Sequence, residues 1–162
     1  MSTEPRVVDK AGKAAFQSPA AEDVVVRATG EETDGQYDVV EITIPPGPGV
    51  TPLHVHHDND EAMHVIEGES TVKLGEERHV LEAGAYAMAP SGLPHTYRNS
   101  GDGPARVLFT YTPGNHWKYL QETGERGPVE DESDIEELLP ILEEYGIEMV
   151  GPPMDAESEG LS

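Results

Sequence analysis

From residue 23 to residue 113 the chain is cut by glycine and proline into short stretches, at roughly the 8–12-residue spacing of all-β sandwiches and barrels. That rhythm leaves few folds open. Residues 37–44 show the pattern most clearly: Val40, Ile42 and Ile44 fall on one face, Glu41 and Thr43 on the other. The run Pro45, Pro46, Gly47, Pro48, Gly49 ends it, because proline cannot donate to a ladder and glycine loosens the backbone. Further strands are expected at 23–29, 53–57, 62–67, 70–74, 78–82, 85–89, 95–99 and 106–111, punctuated by Gly68, Gly75, Gly84, Gly92, Gly101 and Gly103. No internal repeat divides this region, so one all-β domain is expected.

Composition matters because it argues against folding and the pattern must overrule it. Val, Ile, Leu and Phe make up about a fifth of the 162 residues, and the net charge is −22, values close to those of disordered chains. The periodic stretches supply the apolar faces that composition alone does not promise. With 32 acidic against 10 basic side chains, the surface repels phosphate backbones and anionic lipid, so nucleic-acid and membrane binding are not expected. The absence of cysteine excludes disulfides and thiolate metal sites. Residues 1–16 carry Arg6, Lys10 and Lys13 but no apolar run, so they are not read as a signal peptide, and a cytoplasmic location is expected. Acid is spread over the whole chain, with lysines and large aromatics scarce, and 14 acidic side chains face one basic one in residues 120–162. This is read as adaptation to high salt, where carboxylate repulsion is screened; its signature is a melting temperature that rises with KCl.

After residue 113 the period changes. Asn115 is placed to cap a short helix. Ser133 with Glu136 spells a capping box, and Ile135, Leu138, Leu139, Leu142 and Tyr145 form a helical apolar stripe. Pro140 is expected to kink or divide that helix, and Gly146 to end it. A last strand is expected near 147–150. The organisation is therefore an N-terminal arm (1–22), a β-barrel (23–113), a helical extension (114–154) and an acidic tail (155–162), with residues 1–20 and the tail expected to be mobile.

Two segments carry chemistry. The first holds His54, His56, His57, Glu61 and His64; four of the chain's seven histidines lie in residues 54–64. Residues two apart on a strand point the same way, so His54 and His56 aim both imidazoles at one interior. Glu61, just past the following turn, can reach back to the same point, and His95 opens a later strand. Three neutral imidazoles and a carboxylate make a shell for one divalent transition metal: iron, manganese, nickel, cobalt, copper and zinc all suit it.

The arrangement resembles the signature motifs of the cupin superfamily. The second motif, G-x5-P-x-G-x2-H-x3-N, is met at Gly84, Pro90, Gly92, His95 and Asn99; such a match arises by chance on the order of 10⁻⁴ of the time. The first, H-x-H-x4-E-x6-G, is met at His54, His56, Glu61 and Gly68, and Pro48 stands where its opening glycine is expected. The spelling around His54 and the Gly146–Pro153 ending are most similar to single-domain cupins labelled quercetin dioxygenase-like. The resemblance implies an all-β, jelly-roll β-barrel with a C-terminal helical extension. It implies His54, His56, Glu61 and His95 as metal ligands, and a homodimer.

Alternation sorts the neighbours. His57 is expected outside; Met63 and Val65 inside with Glu61; His64 outside; Tyr97 and Asn99 inside with His95. Met63 and Tyr97 are then candidate pocket walls or plain core. Asn99 is read as holding a strand end, Pro90 and Gly92 as shaping the turn before His95, His79 and His116 as surface residues, and Trp117 as packing. The leading functional reading is a metal-dependent oxygenase with a small organic substrate, dioxygen as co-substrate and Glu61 as the catalytic base. A metal-dependent isomerase and a non-catalytic metal- or small-molecule-binding module are the alternatives.

Overall fold

The computed structural model describes residues 4–154; the acidic tail at 155–162 lies outside the described residues. Eleven strands and two helices follow one another as β1 (Ala14–Gln17), β2 (Asp23–Ala28), β3 (Asp38–Ile44), β4 (Pro52–His56), β5 (Asp60–Glu67), β6 (Glu69–Leu74), β7 (Glu77–Glu82), β8 (Tyr86–Ala89), β9 (His95–Asn99), β10 (Ala105–Thr112), α1 (Lys118–Gly124), α2 (Glu132–Glu144) and β11 (Ile147–Pro153). They form two antiparallel sheets, one ordered β1-β2-β3-β10-β5-β8 and the other β11-β4-β9-β6-β7.

The core is the set of inward alternations. β3 buries Val40, Ile42 and Ile44, β10 buries Phe109, Val107 and Ala105 opposite them in that order, and Tyr111 is buried opposite Asp38. Val72, Leu81 and Tyr97 from the other sheet join the same cluster, so the core lies between the sheets. Asn99 ties off the end of β9: its Nδ2 donates to Ile44 O at 2.8 Å and to Gly103 O at 2.7 Å.

Both flanking segments contribute strands. In residues 1–22, read from sequence as an arm, β1 pairs with β2 in register Ala14↔Val26. At the other end, β11 pairs with β4, setting Met149 beside His54 and Ile147 beside His56. The helical extension thus ends as a sheet neighbour of the histidine-bearing strand.

The structure corrects three details of the helices. Helix α1 begins after Trp117 rather than at an Asn115 cap. The capping box of α2 is Asp131 with Asp134, not Ser133 with Glu136; the same one-turn geometry is available two residues earlier, and Asp caps as well as Ser. Pro140 lies inside one continuous helix. It sits on the exposed face, where the carbonyl it leaves unpaired can meet water, while buried Leu138 and Leu142 hold the turns on either side. Leu139, from the expected stripe, faces outward. Gly146 follows α2 with φ +73°, the left-handed backbone that favours glycine, and a Cβ there would crowd the Asp58 carboxylate.

Candidate metal centre

The four residues singled out by spacing meet at one point. His54 and His56 lie on β4, Glu61 on β5 and His95 at the start of β9, directly opposite His54. All four are buried, and their ligating atoms lie within 4.8 Å of one another. The turn before His95 is set by Gly92, at φ +89°, whose N–H donates to His56 O at 2.9 Å.

The outer nitrogens decide what the inner ones can do. His54 Nδ1 lies 2.8 Å from Pro52 O, and His95 Nδ1 lies 2.9 Å from Leu93 O. A carbonyl only accepts, so both Nδ1 atoms carry the proton and both Nε2 atoms keep a lone pair. His56 Nδ1 faces His116 Nε2 at 2.9 Å. Nε2 of His56, Nε2 of His95 and Oε2 of Glu61 are buried without a hydrogen-bond partner. Three such atoms converging at one point are costly unless something occupies the space between them. The donor set and its orphaned atoms therefore fit a divalent metal.

Burial and close neighbours shift the charge states within the cluster in opposite directions. Burial lowers the His54 imidazole, and the like charges of His56 and His95 lower it further, to about 3. Burial opposes charge on Glu61, but the His95 and His56 rings beside it outweigh burial and hold the carboxyl well below its ordinary range. For His95 burial again opposes charge, yet the Glu61 carboxylate 2.9 Å away raises it.

His116 corrects the sequence reading. The sequence pattern places it at the surface; it is 3% exposed, edge-on to His56 and tilted against Tyr111 and Tyr119. Burial, and then the charge of His56, lower it to about 3, so it stays neutral. Its position is fixed by Asp38, a fully buried carboxylate that accepts from the backbone N–H of Gly30 (2.7 Å), Asn115 (2.8 Å), His116 (2.7 Å) and Trp117 (2.9 Å). Sequence reasoning had no signal for it, since His116 and His56 are 60 positions apart. His116→Ala should weaken metal binding about 10- to 100-fold, the usual effect of losing the partner of a ligating imidazole, with the fold kept. Competition titration against a metal indicator checks this.

A cavity opens beside the cluster, with about 80 Å³ available to the centres of water-sized groups. One water needs on the order of 10–15 Å³ by that measure, so a small organic molecule fits. His54 and Glu61 line it, as do Tyr97, Glu22 and, from the C-terminal segment, Leu120 and Leu138. Tyr97 is thus at the wall. Met63 is packed in the core between the sheets and is not among the lining residues. His57 points outward, 3.4 Å from Glu148, and His79 is exposed beside Glu77 at 3.3 Å. Trp117 packs against Phe16 in the core.

The family model for the cupin domain matches residues 40–111, which hold all four clustered residues. The chain carries a cupin domain. This cupin is 35% identical over 85 residues to quercetin 2,3-dioxygenase of Bacillus subtilis, covering 52% of this chain and 25% of that one. Its fold is similar to that of a predicted oxalate decarboxylase from Thermotoga maritima (TM-score 0.59, 18% identity, covering 67% of this chain and 99% of that one). It is also similar to KdgF from a Halomonas species (TM-score 0.58, 19% identity, 68% and 94% covered). The cupin spans about a quarter of the length of its curated Bacillus relative. No helix among its described residues is long and apolar enough to cross a membrane.

Proposed function

We propose that this cupin is a metal-dependent oxygenase acting on a small organic substrate, with His54, His56, Glu61 and His95 as ligands. One observation carries the reading: three imidazoles with engaged outer nitrogens converge on Glu61, leaving unpartnered buried atoms beside a cavity. Identity to a quercetin 2,3-dioxygenase supports the oxygenase form of it. A divalent transition metal supplies Lewis acidity there and, where redox-active, electron transfer with dioxygen. The chain's own residues do the rest. Glu61 Oε2, buried and without a hydrogen bond, takes a proton from a substrate hydroxyl or an acidic C–H. Leu120, Leu138 and Leu142 face the cavity from the helices and exclude water from the proton transfer.

Glu61→Gln tests the role of the carboxylate. The variant should retain most of its metal while oxygen uptake with flavonols and other enolisable compounds falls about 100-fold or more. Conversion of such compounds without oxygen uptake assigns the isomerase instead, since a Lewis acid beside a base also serves enolisation. Tight binding without conversion assigns a binding module.

A further inference from the structure

Glu22 lies outside the matched domain, and nothing in the metal cluster uses it. It sits at the end of a tight turn between β1 and β2, where Ser18 N–H donates to Glu22 O at 2.9 Å and Glu22 N–H donates to Ser18 Oγ at 3.3 Å. Glu22 as a whole is 5% exposed. Ser18 Oγ donates to its Oε1 at 3.2 Å and Tyr97 Oη donates to the same oxygen at 3.1 Å. Oε2 has no hydrogen bond among the described residues.

A carboxylate on so buried a residue is expensive, and no cation among the described residues bonds it; burial pushes its carboxyl up to about 7 despite the Tyr97 and Ser18 bonds. A packing role would be met more cheaply by an apolar residue of similar size. Glu22 lines the cavity that His54 and Glu61 also line, and it borders the adjoining cavity walled by Pro45, Pro46 and Pro48. The wall around it is largely apolar, including Leu120, Leu138 and Leu142. The turn is held to the C-terminal segment by Val129 N–H, which donates to Pro19 O at 2.8 Å.

We propose that Glu22 is the second anchor of the ligand site, its Oε2 accepting a hydrogen bond from a hydroxyl group at the end of the ligand remote from His54 and Glu61. The inference rests on the metal-site reading. It defines the ligand class: compact and amphipathic, with chelating oxygens at one end, an apolar body against the helices, and a hydroxyl at the other end.

The test uses the cobalt-loaded protein and hydroxamate chelators as probes. Benzohydroxamate is compared by calorimetry with its 3-hydroxy and 4-hydroxy derivatives. One hydroxylated probe should bind wild type about tenfold more tightly than benzohydroxamate, as expected of a hydrogen bond to a carboxylate. Glu22→Met should bind benzohydroxamate as wild type does and cut that preference to below about threefold. Glu22→Leu, which likewise offers no acceptor to the cavity, serves if the methionine variant fails to fold, with the same loss expected. Benzohydroxamate binding with no hydroxyl preference in wild type, or a preference that survives in the variants, overturns the role of Glu22 and leaves the metal reading standing. Failure of every hydroxamate to bind the cobalt-loaded protein overturns both.

Discussion

His95→Ala and His54→Ala should each bring metal content down from an expected one ion or so per chain to a small fraction of that, with affinity reduced more than ~100-fold. The loss exceeds that expected for His116→Ala because a ligand atom is removed, not the partner that orients one. The two histidines face each other in register, with ring centroids 4.4 Å apart, and each is held by a backbone carbonyl two residues upstream. Alanine at either position leaves the carbonyl in place and removes the only imidazole it aims. Dialysis against a chelator followed by metal titration reads the change. Either variant retaining full metal content would show that the cluster is not the site.

Asp38→Ala should be the most destabilising single substitution outside the apolar core. Four backbone donors converge on this buried carboxylate, Gly30 and Asn115 on Oδ1, His116 and Trp117 on Oδ2. Alanine leaves those N–H groups without a partner. A hydrogen bond to a charged group contributes about 1.5–3 kcal/mol, and the bonds here are not independent, so a loss of about 3–5 kcal/mol is expected. At roughly 2–4 °C per kcal/mol for a chain of this size, the melting temperature falls by about 10 °C. Asp38→Asn separates charge from geometry. One side-chain oxygen still accepts, but the new amide N–H₂ meets two N–H donors head on, so about half the loss should remain. In both variants the loop bearing His116 loosens, and metal affinity falls with stability. Thermal unfolding at fixed metal concentration checks this, and a shift below about 2 °C would contradict the role given to Asp38.

Much of the barrel was legible because its strands alternate and its turns are marked. β3 and β10 bury every second residue, and Pro45 to Gly49 or Gly68 close the stretches between them. The strands expected at 70–74 and 95–99 appear as β6 and β9, to within a residue. β1 was not legible: Ala14–Gln17 is half-buried at an edge, and Ala and Gln carry little β preference. The helix start was misplaced because acids and serine crowd residues 130–136, and several spacings spell a capping box there. The four clustered residues could be found because period-two alternation and a turn fix them locally. His116, Asp38 and Glu22 could not, because their positions depend on contacts 60 to 79 positions apart in sequence, such as His56 with His116, Trp117 with Asp38 and Glu22 with Tyr97. No local period records such pairs. Met63 shows the converse: alternation correctly turns it inward, but inward there means the core between the sheets, not the cavity.

On this reading the cluster of His54, His56, Glu61 and His95 holds a metal. Elemental analysis of the purified wild-type chain, after incubation with manganese, iron, cobalt, nickel, copper and zinc in turn and removal of free ion, tests it most directly. About one tightly held transition-metal ion per chain is expected for at least one of these elements. A chain that retains none of them would contradict it.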